Sequence, residues 1–207
     1  MRMYGDIEID VSELEGLLDQ MQNALAPEEF ERLMYRTLKE VATRVKADVP
    51  REVQEKYLVT TGWIKGGLGA PKLYGSGGEM TAIIPMKGRR GLLGKIFKSS
   101  QRFAGKAARG KKRQRTGRVT ANILTSGPSE LPEKMPESYG PGKNKPFMRK
   151  GMVWTRRTKA PYPLAAVVDV TMPQTVTVQA REGVEEDIRR HAEERLVHNF
   201  TFMFGGR

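Results

Sequence analysis

PQTVTVQAREGVEEDIRRHAEERLVHNFTFMF, residues 173–204, is the stretch whose pattern sets the fold class. Pro173 suits a first helical position, where a missing N–H costs nothing. Val176, Ala180, Val184, Ile188, Ala192, Leu196, Phe200 and Met203 then recur every three or four residues, the stripe of an amphipathic helix. Glu182, Glu185, Glu186 and Asp187 fall in its first half, and Arg195 and His198 in its second, the order the helix dipole favours. The spacing predicts one helix of about 30 residues. A helix that long packs along a sheet or projects to a neighbour. Val184, Ile188, Leu196, Phe200, Phe202 and Phe204 are the residues expected to make an oligomer or neighbour contact.

Upstream of this helix the period changes from helical to alternating. Strand patterns are read at 79–86 (EMTAIIPM), 118–125 (RVTANILT), 147–156 (FMRKGMVWTR) and 164–170 (LAAVVDV). Residues 59–80, with seven glycines, and 126–146, rich in Pro, Gly and Ser, read as loops.

The N-terminal region adds one more strand and two helices. In YGDIEIDV (4–11), Tyr4, Ile7, Ile9 and Val11 alternate with Asp6, Glu8 and Asp10, as in an edge strand with a wet acidic face. Ser12-Glu13-Leu14-Glu15 has capping-box spacing, with Leu14, Leu17, Leu18, Met21 and Leu25 following. A second helix starts at Pro27, buries Phe30, Leu33, Met34, Leu38, Val41 and Val45, and is expected to run to about Ala47, where Pro50 interrupts it, with a short helical turn resuming over 52–57. Helices segregated from strands in this way give an α+β domain. Its parts are N-terminal helices, a small antiparallel sheet with long inserted loops, and a long C-terminal helix, all in one unit over 1–207.

The charge is distributed unevenly. Between residues 87 and 118 lie Lys87, Arg89, Arg90, Lys95, Lys98, Arg102, Lys106, Arg109, Lys111, Lys112, Arg113, Arg115 and Arg118, with no Asp or Glu. Those thirteen cations come from a chain with 36 Lys plus Arg, 24 Asp plus Glu and a net charge of +12. The remaining 23 cations face 24 acids, so one inserted arm carries the basic character of a balanced body. The arm sits between two strands, which suggests a hairpin with a greatly extended loop. Its GLLGKIFKSSQRFAGKA portion places Leu92, Leu93, Ile96, Phe97 and Phe103 among cations, as a basic amphipathic turn would. Its GKKRQRTGR portion resembles a phosphate-contact tract of the sequence-indifferent kind.

Catalytic chemistry has little support. The chain has no cysteine, which removes disulfides and thiolate metal sites, and it has no run of about 18 apolar residues of the kind a membrane span needs. The N-terminus lacks the apolar core of a secretory signal, so synthesis in a cytoplasm is expected. His191 and His198, seven apart, read as two helix-surface histidines. GGLGAPK (66–72) and GPGKNK (140–145) do not match a phosphate loop. No enzyme, cofactor or metal is expected.

Several segments, in order, resemble the prophage minor tail protein Z family, the tail-completion proteins of long-tailed phages. They are REVQEKYLVTTGWIKGGL (51–68), FMRKGMVWTRR (147–157), APYPL (160–164), TMPQTV (171–176) and VEEDIRRHAEERLVHNF (184–200). The resemblance implies a structural virion protein of the neck or tail that acts late in assembly, when a finished tail joins a DNA-filled head. It implies a homo-oligomeric ring, often a hexamer in proteins of that region, around the DNA channel. Neighbouring neck and tail proteins, and genomic DNA in the channel, would be its partners. It also implies that the protein is made in the host cytoplasm and resides in the virion, with no membrane partner. The competing reading is a free, sequence-indifferent nucleic-acid-binding protein that uses residues 87–118.

Overall fold

The computed structural model describes residues 3–10, 14–76, 80–88, 90–103, 115–132, 144–158 and 163–205. The class is α+β, with small antiparallel sheets and a long C-terminal helix. No helix among the described residues is long and apolar enough to cross a membrane.

The first sheet has the order β1-β3-β2, formed by β1 (Met3–Ile9), β2 (Lys72–Tyr74) and β3 (Thr81–Gly88). Alternation in the sequence becomes alternation in burial. Ile7 and Ile9 are buried opposite Ile84 and Ala82, while Asp6, Glu8 and Asp10 are exposed. β1 is therefore an edge strand, as its pattern predicts.

Two helices follow, α1 (Glu15–Ala24) and α2 (Pro27–Lys56). The capping box expected at Ser12 lies outside the described residues. α2 begins at Pro27 as predicted, and the Glu29 carboxylate accepts from the Ala26 N–H at 3.4 Å. It does not stop near Ala47 but runs through Pro50 to Lys56. A proline inside a helix costs about 3 kcal/mol in lost hydrogen bonding and sterics. Val45, Val49 and Val53 lie on the buried face that continues past it, each at most 1% exposed. Burying one such side chain is worth about 1.5–3 kcal/mol, so the stripe outweighs the proline.

The glycine-rich stretch 59–80 is not all loop. Thr60 caps a short helix, α3 (Thr61–Gly67), its hydroxyl accepting from the Trp63 N–H at 3.4 Å, and β2 follows. Beyond β3 come β4 (Arg90–Leu92), β5 (Lys98–Phe103), β6 (Arg115–Leu124) and β7 (Gly127–Glu130). The expected hairpin between the strands at 79–86 and 118–125 does not form. β3 pairs with β1 and β2, whereas β6 pairs with β5 and β7 in a sheet of its own.

FMRKGMVWTR, expected as one strand, is a hairpin of β8 (Phe147–Arg149) and β9 (Met152–Arg156). Its two-residue turn, Lys150-Gly151, has φ of 50° and 76°, the positive pair that a tight hairpin turn of matching twist requires. β10 (Leu164–Ala166) joins β9, and β11 (Val168–Thr171) pairs with β4.

The C-terminal helical region is broken rather than continuous. Thr171 caps α4 (Met172–Gln174), a π-helical turn covers Thr175–Gln179, and α5 spans Arg181–Phe204. The predicted stripe nevertheless faces inward: Val176, Ala180, Val184, Ala192 and Leu196 are buried, with Ile188, Phe200 and Met203 half-buried. α5 packs along α2, and α2 packs against β3.

Candidate interaction surface

The basic segment is not a free loop. Its first half is fixed to the body by the apolar residues that lie among its cations. Leu93 and Phe97, read from sequence as part of an amphipathic basic turn, have no exposure at all. Phe97 meets Trp63 of α3 edge-on, ring centroids 6.2 Å apart. The Leu93 N–H donates to the Val167 carbonyl at 3.1 Å, and the Leu93 carbonyl accepts from the Val153 N–H at 3.1 Å. Between them the chain turns tightly. Lys95 and Ile96 N–H groups both donate to the Leu92 carbonyl, and Gly94 N–H donates to Phe97. Gly94 has φ of +88°, and a Cβ there would lie 2.2 Å from the Gly151 carbonyl oxygen, so only glycine fits.

From this anchor the chain enters β5, which pairs antiparallel with β6. Lys98 pairs with Asn122, Gln101 with Val119 and Phe103 with Arg115. Val119 and Ala121 face the core, and the Ser100 and Thr120 hydroxyls share a 2.6 Å hydrogen bond across the strands. Lys87, Lys95 and Lys98 are exposed, and none of them makes an ion pair among the described residues. Arg118 meets Glu130 of β7 at 3.3 Å, with both side chains more than half exposed, a geometry worth little in water. Arg90, Arg102 and Arg115 are placed by β4, β5 and β6. Arg89, Lys106, Arg109, Lys111, Lys112 and Arg113 lie outside the described residues. The structure thus gives the segment an anchored base and leaves a dense basic tract between two hydrogen-bonded strands.

The residues expected at a neighbour contact separate into two sets. Val184 (4% exposed) and Leu196 (0%) pack inside the chain and do not offer a surface to a neighbour, because the stripe they form faces the protein's own core. Ile188, Phe200 and Phe204 are half-buried against that core. Phe202 is 67% exposed, with the Arg36 guanidinium 4.6 Å from its ring centre.

His191 is a correction to the surface reading. His198 is exposed, but His191 is buried, with its Nε2 2.7 Å from Oδ2 of Asp48 on α2. Next to it the Arg51 guanidinium donates to both Asp187 oxygens at 2.9 and 3.1 Å and to Glu52 at 2.9 Å, and Arg190 also donates to Asp187. The Glu52 hydrogen bond, followed by the charge of Asp187, pushes Arg51 above its ordinary range. Ligand atoms of Asp48, Asp187 and His191 lie within 4.8 Å of one another, a spacing that could hold a metal. Two guanidiniums already occupy Asp187, so the donor set reads as an ionic clamp between α2 and α5. Sequence reasoning missed it because its members sit about 140 residues apart, with nothing local to join them.

Comparison of the chain with protein-family models, with curated proteins and with solved structures finds no match.

Proposed function

We propose that this chain is a structural virion protein of a phage neck or tail. It completes the tail and helps join it to the DNA-filled head, as one member of a ring around the DNA channel. The observation that carries the reading is the convergence of the family-like segments in space. Residues 51–68 supply the end of α2 and all of α3, and residues 171–176 supply α4. Met172 of α4 is buried against Gly67 of α3 and Gly88 of β3. The segment 184–200 forms most of α5 and is tied back to 51–68 by Arg51 and Asp187. Three of the five family-like segments thus pack together.

The basic segment fits the same role. In a ring, each copy would bring a segment of thirteen cations, anchored at its base, to an anionic surface, either DNA in the channel or the neighbouring protein. Contacts to phosphates hold DNA without reading sequence and let it slide.

The test is to remove the gene from its source, induce particles and image them. Filled heads beside separate tails of normal length are the expected result. Joined, complete particles would overturn the reading.

The same thirteen cations favour a second reading, a free nucleic-acid-binding protein. That reading requires the isolated chain to bind duplex DNA, with affinity falling steeply as salt rises.

A further inference from the structure

We propose that the open edge of β1 is a docking groove for the basic tract of a second copy of this chain, so that copies associate head to tail. The inference rests on the ring in the proposed function. It concerns association in solution, which succeeds or fails whether or not the chain joins heads to tails.

Among the described residues β1 is hydrogen-bonded to β3 on one side only, which leaves every other backbone N–H and C=O of its outer edge without a strand partner there. Beside that edge runs a groove shared with the start of α5. Half-buried Ile188 gives it an apolar wall backed by the buried Ile7 and Val176, and Asp6, Glu8 and Glu185 line it with carboxylates. Arg181 engages Glu185, which leaves Asp6 and Glu8 as its exposed acids without an ion pair among the described residues.

The charge pattern selects the occupant. Acids at i and i+2 of a strand share one face, about 7 Å apart. A second β1 laid on this edge would bring carboxylates against carboxylates, which is unfavourable and disfavours a symmetric edge-to-edge dimer. A partner segment with cations at i and i+2 is favoured instead, and the sequence of the basic tract supplies it more than once. Lys111 and Arg113 have that spacing, inside a segment that contains no acid. Groove and tract are different parts of the same chain. Their contact is therefore heterologous, and such a contact builds rings when the rotation closes. Strand addition supplies main-chain hydrogen bonds, and the alternate side chains supply the choice of partner.

The experiment uses the full chain and measures its mass distribution by sedimentation velocity at about 50 mM salt, where screening is weak. Wild-type protein is expected to self-associate. The groove variant Asp6→Lys/Glu8→Lys and the tract variant Lys111→Glu/Arg113→Glu should each associate about tenfold more weakly, or worse. An equimolar mixture of the two should recover association, because each basic surface then meets an acidic one. Should the strand variant fail to fold, Glu185→Lys, on the helix side of the groove, takes its place in the same comparison. A wild-type chain that stays monomeric overturns the proposal. So does either variant associating as the wild type does, or a mixture no better than its components.

Discussion

His191 Nε2 lies 2.7 Å from Asp48 Oδ2, a hydrogen bond that joins α5 to α2 across 143 positions of sequence. With Arg51 and Asp187 one turn away, it holds in register the two longest helices of the fold. His191→Ala removes one partner and leaves the Asp48 carboxylate without it. The expected loss is about 1–3 kcal/mol of stability, read as a lower urea midpoint at unchanged slope. His198→Ala, on the exposed side of the same helix, should stay within about 0.5 kcal/mol of wild type.

Leu93 and Phe97 make the base of the basic segment part of the core. Phe97→Ala should cost about 3–5 kcal/mol and Leu93→Ala about 2–5 kcal/mol, measured by chemical denaturation. Lys95→Glu, one residue from the turn's centre but exposed, should change stability by no more than about 0.5 kcal/mol. If all three substitutions were equally mild, the segment would be a free arm after all.

Gly94 is held at φ +88° with the Gly151 carbonyl where a Cβ would be. Gly94→Ala should destabilise by about 2–4 kcal/mol through strain and overpacking, seen as a lower thermal midpoint. Gly16→Ala in α1, with open space around it, should instead stabilise by about 0.5–1 kcal/mol, since alanine is the better helix former.

Much of this architecture was legible in the sequence wherever a local period settled it. The edge strand of Ile7 and Ile9, the start of α2 at Pro27 and the inward stripe of α5 all appear where their spacing puts them. The misreadings have physical causes. Pro50 reads as a stop because a local rule cannot weigh the burial of Val49 and Val53, which only the packed fold supplies. Seven glycines mask α3, although Thr60 is a good cap for it. Lys150-Gly151 hides a turn inside an apparently continuous strand. For the interaction surface, the thirteen cations are visible in the sequence, but not that Leu93 and Phe97 fix their base. The clamp around His191 is a tertiary product with no local sign.

The salt dependence of association offers a further check on the electrostatics. Self-association driven by exposed charges should weaken as salt rises from about 50 to 500 mM, whereas the thermal midpoint, set by the apolar core, should move little. A midpoint that fell together with association would mean that the charges hold the fold itself.

The most direct measurement for the central claim is complementation in a lysate. Particles are induced from a source strain that lacks this gene, purified full-length chain is added, and joined particles are counted by electron microscopy alongside infectious titre. The account predicts separate filled heads and tails before addition, and joined, infectious particles after it. A lysate already full of joined particles, or one that stays unjoined when folded wild-type chain is supplied, would contradict it.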